Sequence, residues 1–90
     1  MSQKKYPCAC CGCYTLTESG GSYEICPVCF WEDDALQNRD PSYTGGANHL
    51  SLHESRKNYR KIGACEEQFL QHVRKPLPEE MNGDDGGMEK

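Results

Sequence analysis

Two cysteine pairs of equal spacing, Cys8/Cys11 and Cys26/Cys29, constrain this chain more than any other feature. Each is a Cys-x2-Cys step. Two intervening residues let the backbone turn back, so that both sulfurs face one point. Fourteen residues lie between Cys11 and Cys26, close to the roughly 15–20 that separate the pairs of a four-cysteine zinc pattern. Four thiolates in a tetrahedron make a closed shell, which suits a structural site rather than a catalytic one. The candidate ligands are therefore Cys8, Cys11, Cys26 and Cys29, and the candidate ion is Zn2+. Iron is not excluded, because tetrahedral sulfur serves both metals.

The first pair has a rival register. Cys10 and Cys13 share the same spacing within Cys8-Ala9-Cys10-Cys11-Gly12-Cys13. Pro7 stiffens the entry to Cys8. Gly12 follows Cys11, where a knuckle can require a positive φ, whereas the bulky Tyr14 follows Cys13. These features favour Cys8 and Cys11 and leave Cys10 and Cys13 as alternates. Cys10 then reads as a thiol at the knuckle tip. Cys65 lies on a helical pattern and reads as a small apolar packing residue.

The rest of the composition explains why such a chain needs a staple. Leu, Ile, Val and Phe supply 12 of 90 residues, below the roughly 20% at which a self-sufficient core is expected. Small chains with little apolar surface lean on disulfides, metal or a partner. Seven cysteines are an odd number. Met1 to Lys5 is polar and leads into no apolar stretch, so the expectation is a cytoplasmic chain, where thiols stay reduced. The length allows one domain. No apolar run approaches the ~18 residues a membrane span needs. A net charge of −4 makes nucleic acid an unlikely partner class.

The chain divides into a polar lead at 1–5, a cysteine-rich domain at 6–78 and an acidic tail at 79–90, expected to be disordered. Tyr14–Thr17 and Ser22–Ile25 are β-prone, and Glu18-Ser19-Gly20-Gly21 between them is a turn signal. A hairpin joining the two knuckles is expected, as in a zinc ribbon. Phe30 and Trp31 supply the missing core, and Glu32-Asp33-Asp34 reads as a solvated turn. Residues 35–49 are rich in turn formers and read as irregular. Ser51-x-x-Glu54 is a capping box opening a helix with Leu52, Tyr59 and Ile62 on one side, and Gly63 stops it. A second helical pattern runs from Ala64 to Val73, and Pro76 and Pro78 end it. The fold class is a small metal-stapled α+β domain: a zinc-ribbon-like two-knuckle hairpin followed by one or two helices. Neither half has apolar area to fold alone. Leu52, Tyr59 and Ile62 are therefore expected to dock on Phe30 and Trp31, with the acidic run facing the positive segment that begins near His49.

The run Tyr6-Pro7-Cys8-Ala9-Cys10-Cys11-Gly12, with Gly21-Ser22-Tyr23-Glu24-Ile25-Cys26-Pro27-Val28-Cys29-Phe30-Trp31-Glu32-Asp33-Asp34, resembles the cysteine-rich CPCC domain. The likeness continues through Gly45-Gly46-Ala47-Asn48, Ser51-Leu52-x-Glu54-x-Arg56-x-Asn58-Tyr59 and Gly63-Ala64. Two positions depart from that family: Ala9 stands where it has proline, and Cys13 where it tends to have an aromatic. The resemblance implies the fold and zinc binding, and no reaction.

The leading functional reading is a structural zinc domain acting as a protein-interaction module. Arg56, Lys57, Arg60 and Lys61 repeat on the side of the helix away from Leu52 and Tyr59 and read as a solvated face, with a docking surface for an acidic partner or for the chain's own acidic segments as the alternatives. A thiol-redox role would use Cys10, beside the metal. A hydrolytic role would need an open metal position or a Cys–His pair with His49 or His53. A nucleic-acid-binding ribbon would rest on the basic helix and the aromatics.

Overall fold

A computed structural model describes residues 4–18 and 21–81 of the chain. Strand β1 (Tyr6–Pro7) pairs antiparallel with β2 (Tyr14–Leu16), with Tyr6 opposite Leu16 and a register shift beside Pro7. Three α-helices follow: α1 (Ala35–Arg39), α2 (Leu52–Ile62) and α3 (Pro78–Met81), with a 3₁₀ helix at Glu67–His72 before the last. The α+β class expected from the sequence is present.

The hairpin is not the expected one. Instead of pairing with Ser22–Ile25, β2 folds back across the first knuckle onto β1. Ser22–Ile25 closes over its own knuckle: Ile25 bridges Glu32, Tyr23 N–H donates to the Asp33 carbonyl, and Asp33 N–H donates to that of Glu24. The reason is local. Each knuckle brings its own flanks together at little loop-closure cost. Tyr23 also has φ 64, which interrupts an extended run. A side chain replaces the missing ladder. The Glu24 carboxylate accepts from the Thr17 N–H at 2.9 Å and from the Glu18 N–H at 3.0 Å. The Thr17 N–H above all holds that carboxyl below its usual range. Part of the expected turn, Ser19 and Gly20, lies outside the described residues.

Residues 35–39 form a helix rather than the irregular segment expected. Asp34 caps it, its Oδ1 accepting from Leu36 N–H at 2.9 Å and its Oδ2 from Ala47 N–H at 2.7 Å. The acidic run is correspondingly not a solvated turn. Asp33 and Asp34 are buried, which is tolerable because each carboxylate is saturated with donors. Asp33 accepts from the Gly21 and Ser22 N–H groups at 3.1 and 3.0 Å and from the Asn38 amide at 2.7 Å. These two acids therefore face backbone amides and an asparagine, not the positive segment. Gln37, fully buried, ties the irregular stretch after α1 in place. Its amide donates to the carbonyls of Tyr43 and Leu50, and its oxygen accepts from Asn48 N–H. Gly46 passes so close that a Cβ there would lie 2.5 Å from Asp34 Oδ2.

Helix α2 follows its sequence signals. The Ser51 hydroxyl accepts from Glu54 N–H at 3.1 Å, and Gly63, at φ 88, closes the far end with its N–H on the Tyr59 carbonyl. Leu52 is fully buried with Trp31, Leu16, Val28 and the knuckle cysteines, and Tyr59 and Phe30 pack partly buried against them. Ile62 departs from expectation and lies exposed at the helix end. The Trp31 ring is core, its indole N–H satisfied by Asn38 Oδ1 at 3.0 Å.

Beyond Gly63 the chain crosses the second knuckle. Cys65 is buried, as the helical pattern implied, and its N–H donates to the Cys29 carbonyl at 2.8 Å. Only Glu67–His72 of the Ala64–Val73 pattern is helical, and it is 3₁₀ rather than α. Phe69 sits 4.6 Å from Phe30, centroid to centroid, and His72 stacks on Phe30 at 5.4 Å. Residues 79–81 of the expected tail belong to α3, and 82–90 lie outside the described residues. No described helix is long and apolar enough to cross a membrane.

Candidate metal centre

The two knuckles are backbone copies of one another. Gly12 N–H donates to the Cys8 carbonyl at 2.8 Å, and Phe30 N–H to the Cys26 carbonyl at 2.8 Å. Cys8 N–H closes on the Cys13 carbonyl at 2.9 Å, and Cys26 N–H on that of Trp31 at 3.0 Å. The residue after each second cysteine is left-handed: φ is 80 at Gly12 and 74 at Phe30. Glycine takes that conformation without cost. Phenylalanine does not, and at Phe30 it is held there by its ring contacts and the flanking knuckle bonds.

The copies meet at their sulfurs. The Sγ atoms of Cys8, Cys11, Cys26 and Cys29 all lie within 4.8 Å of one another. Cys8 and Cys29 are 3.6 Å apart, and Cys11 and Cys26 are 3.7 Å apart. A tetrahedron with metal–sulfur arms of about 2.3 Å has edges of about 3.8 Å, so these two contacts match opposite edges of such a shell. Cys8, Cys26 and Cys29 are buried, and Cys11 is half-buried. Donors surround the sulfurs. Cys13 N–H points to Cys11 Sγ and Val28 N–H to Cys26 Sγ, both at 3.4 Å, and the Thr15 hydroxyl lies 3.1 Å from Cys26 Sγ. The neighbouring thiols, Cys11 first, and Thr15 hold the Cys26 thiol well below its usual range, while Cys11 and Cys29 are pushed up. Four thiols this close stabilise one thiolate at the expense of the others. A divalent cation removes that conflict, since every thiolate then has a positive partner. The donor set is thus compatible with a metal ion.

Cys10 and Cys13, the alternates, are buried beside this cluster but are not part of it. Burial pushes the Cys13 thiol up, and pushes that of Cys65 to about 12. A reactive cysteine is accessible and carries a lowered pKa, and neither thiol fits that description. No histidine joins the cluster among the described residues. His49 is exposed 3.5 Å from Glu66, His53 is exposed, and His72 stacks on Phe30.

Two contributors escaped the sequence reading. Thr15 was read only as a strand residue, although its place two after Cys13 sets it above the cluster. Arg56 reaches across the fold, Nε to the Ala9 carbonyl at 2.9 Å. That contact anchors α2 on the tip of the first knuckle, and no spacing rule foretells it.

A small α+β domain folded about a four-cysteine cluster fit for a metal ion is the class these features define. Within that class, the chain belongs to the cysteine-rich CPCC family, whose model matches residues 6–80. A search of curated proteins finds none that matches.

Proposed function

We propose that this chain is a structural zinc-binding domain, zinc-ribbon-like in its paired knuckles, that serves as a protein-interaction module in the cytoplasm. One observation carries the reading: four cysteine sulfurs converge from two matching knuckles in a mostly buried shell. Cys8, Cys11, Cys26 and Cys29 would hold the ion. Four thiolates fill a tetrahedral shell and leave no position for substrate, so the metal holds the fold rather than performing a reaction. Its binding energy becomes folding energy, because the site exists only in the folded chain. This suits a molecule whose core is largely cysteine with Trp31, Leu16, Val28 and Leu52. The role then falls to the outer surface, which exposes Ile62, Leu70, Leu77 and Met81.

Native mass spectrometry with elemental analysis tests the metal. The expected result is one zinc per chain. Iron, or a folded chain with no metal, overturns it. Single serine replacements then test the ligand set. Metal lost on Cys10→Ser or Cys13→Ser but kept on Cys8→Ser would move the first pair to the other register.

A further inference from the structure

The four sulfurs of the cluster have neighbours of their own kind that do not join them. Cys10, Cys13 and Cys65 are free, buried thiols packed into the same core. The four ligand candidates also differ in access: Cys8 is 2% exposed and Cys26 and Cys29 are 0%, whereas Cys11 is half-buried. Cys11 is therefore the sulfur of the shell most open to a small solute. A spare thiol stands beside it. Cys13 N–H donates to Cys11 Sγ at 3.4 Å. Of the side chains around the Cys13 thiol, Cys11 acts on it most strongly, through a hydrogen bond. The other spare thiols turn to the second knuckle: Cys10 is the largest influence on Cys29, again through a hydrogen bond, and Cys65 N–H donates to the Cys29 carbonyl. Only Gly12 separates Cys11 from Cys13, and a Cβ there would meet nothing within 4 Å. The backbone is free to bend at such a glycine. A disulfide needs its Cα atoms within roughly 7 Å, which two residues flanking one bent glycine can meet.

We propose that Cys11 and Cys13 are a peroxide-sensitive switch: oxidation joins them in a disulfide, and the first knuckle loses its hold on the metal. The inference deepens the structural-metal reading and rests on it. Ligation holds Cys11 as a thiolate, and oxidants select sulfurs that are both thiolate and accessible. The Cys11 sulfur gives an electron pair to the terminal oxygen of a hydroperoxide. The O–O bond breaks, Cys11 becomes a sulfenic acid, and the alkoxide leaves and takes a proton from water. The Cys13 sulfur then attacks the Cys11 sulfur. An S–S bond forms, the S–O bond breaks, and hydroxide leaves with the Cys13 proton as water. The two sulfurs have lost two electrons and the peroxide has gained them. Cys13 needs only proximity for its part, so its burial is no obstacle. Cys11 and its nearest substitute are consumed together, and three sulfurs make an incomplete shell. Because the metal's binding energy is folding energy, the knuckles loosen. So small a ring is strained, and strained disulfides are the readily reduced, regulatory ones, which makes the switch reversible.

Hydrogen peroxide added to the metal-loaded full chain tests the proposal. Metal release is read with a weak chromophoric chelator against a sample without peroxide, and the thiols are mapped by differential alkylation and tandem mass spectrometry. The release rate should rise in proportion to peroxide, the first disulfide should join Cys11 to Cys13, and a dithiol reductant should restore the metal. Cys13→Ser leaves Cys11 without a partner. In that variant the Cys11 sulfenic acid should be trapped by a cyclic dione, and further peroxide should carry it to the irreversible sulfinic acid, so that reductant no longer restores the metal. Cys10→Ser should switch as the unaltered chain does. A first disulfide at any other pair overturns the proposal. So does a release rate independent of peroxide, because the metal would then leave before any sulfur is oxidised. Full recovery of the Cys13→Ser variant after excess peroxide overturns it too. The disulfide map is made on the unaltered chain and stands whether or not the variants fold. A chain that holds metal and keeps it through oxidation overturns the switch alone, whereas a chain that takes up no metal removes the structural reading with it.

Discussion

The two knuckles share a backbone but not a sequence, and their differences show how one motif can be held in two ways. The first, Cys8 to Cys11, takes its left-handed turn at Gly12, where a Cβ would meet nothing within 4 Å. It spends no strain there, and it is covered lightly: Cys11 is only half-buried, and Arg56 reaches the Ala9 carbonyl from α2. The second, Cys26 to Cys29, makes the same turn with Phe30 at φ 74. A non-glycine residue in that region costs roughly 1–2 kcal/mol. In return the ring reaches Phe69 and His72, and both cysteines are fully buried. The first knuckle is therefore conformationally relaxed and open. The second is strained locally and fixed by tertiary packing.

The sharpest break of that comparison is at the sulfurs. Cys10 and Cys13 lie buried within the first knuckle's own segment, whereas the second knuckle's segment carries no third thiol and meets Cys65 only across the fold, where the Cys65 N–H donates to the Cys29 carbonyl. Cys26→Ser or Cys29→Ser should abolish tight metal binding, with a loss beyond the 10–100-fold typical of perturbing a ligand's supporting contacts. Cys11→Ser should retain measurable affinity through a substitute sulfur. Competition with a chromophoric chelator reads this directly, and equal losses in both knuckles would remove the distinction. Chelation of the metal should erase amide dispersion across residues 14–31, while α2, capped locally by Ser51 and Gly63, keeps part of its helicity.

The strained turn comes next in size. Truncating a fully buried Phe costs about 3–5 kcal/mol. Phe30 is only partly buried, so Phe30→Ala should cost about 2–3 kcal/mol. Phe30→Gly loses the same ring but releases the turn, and should be less damaging by about 1 kcal/mol. At the first knuckle the sign reverses: Gly12→Ala, with free space for its Cβ, should cost about 1 kcal/mol from backbone alone. Urea unfolding of the metal-loaded variants measures all three. If Phe30→Ala and Phe30→Gly coincide, the left-handed turn stores no strain.

The same contrast separates what the sequence made legible from what it hid. The cysteine pairs, Gly12, the Ser51 cap and the Gly63 stop were readable because each is a local rule: a ligand spacing, a positive φ, a side chain reaching its own turn. Phe30 violates the local rule for its turn, and only the later arrival of Phe69 and His72 makes it tolerable. The pairing of β2 was misread because two β-prone runs flanking a turn outrank, by pattern, a two-residue strand at Tyr6–Pro7 containing proline. The acids at 33 and 34 read as solvated because charge is normally exposed. Their donors are amides at Gly21, Ser22, Ala47 and Leu36 and the side chain of Asn38, which only the folded chain assembles. Of the cluster, the cysteine identities were legible, whereas its supports Thr15 and Arg56 act through contacts with no fixed spacing.

Coverage of the knuckles yields the two smallest effects. Over the first, Arg56→Ala removes one hydrogen bond to Ala9 and some half-buried stem, and should cost about 1 kcal/mol in the same unfolding experiment.

Over the second, Arg74 N–H donates to the Pro27 carbonyl at 3.2 Å, and the Arg74 guanidinium grips Glu80 through two bonds of 2.9 and 2.8 Å. Arg74 above all holds the Glu80 carboxyl below its usual range, and the Leu77 N–H adds to the effect. A depressed carboxyl favours the docked segment at pH values above its unfolded pKa of roughly 4.3. That contribution disappears as pH falls through the lower, folded value. The Leu77 amide, which donates to Glu80 Oε1 at 2.9 Å, should therefore shift in a single step below about pH 4.3. Acid also protonates thiolate ligands and weakens a metal site, so the titration must be read against variants. Glu80→Gln should erase the Leu77 step without moving the pH at which metal leaves. Arg74→Gln should move the step upward, toward the ordinary glutamate range. A Leu77 step that coincides with metal loss in all three proteins would show that this pair follows the cluster and does not fasten the chain across the second knuckle.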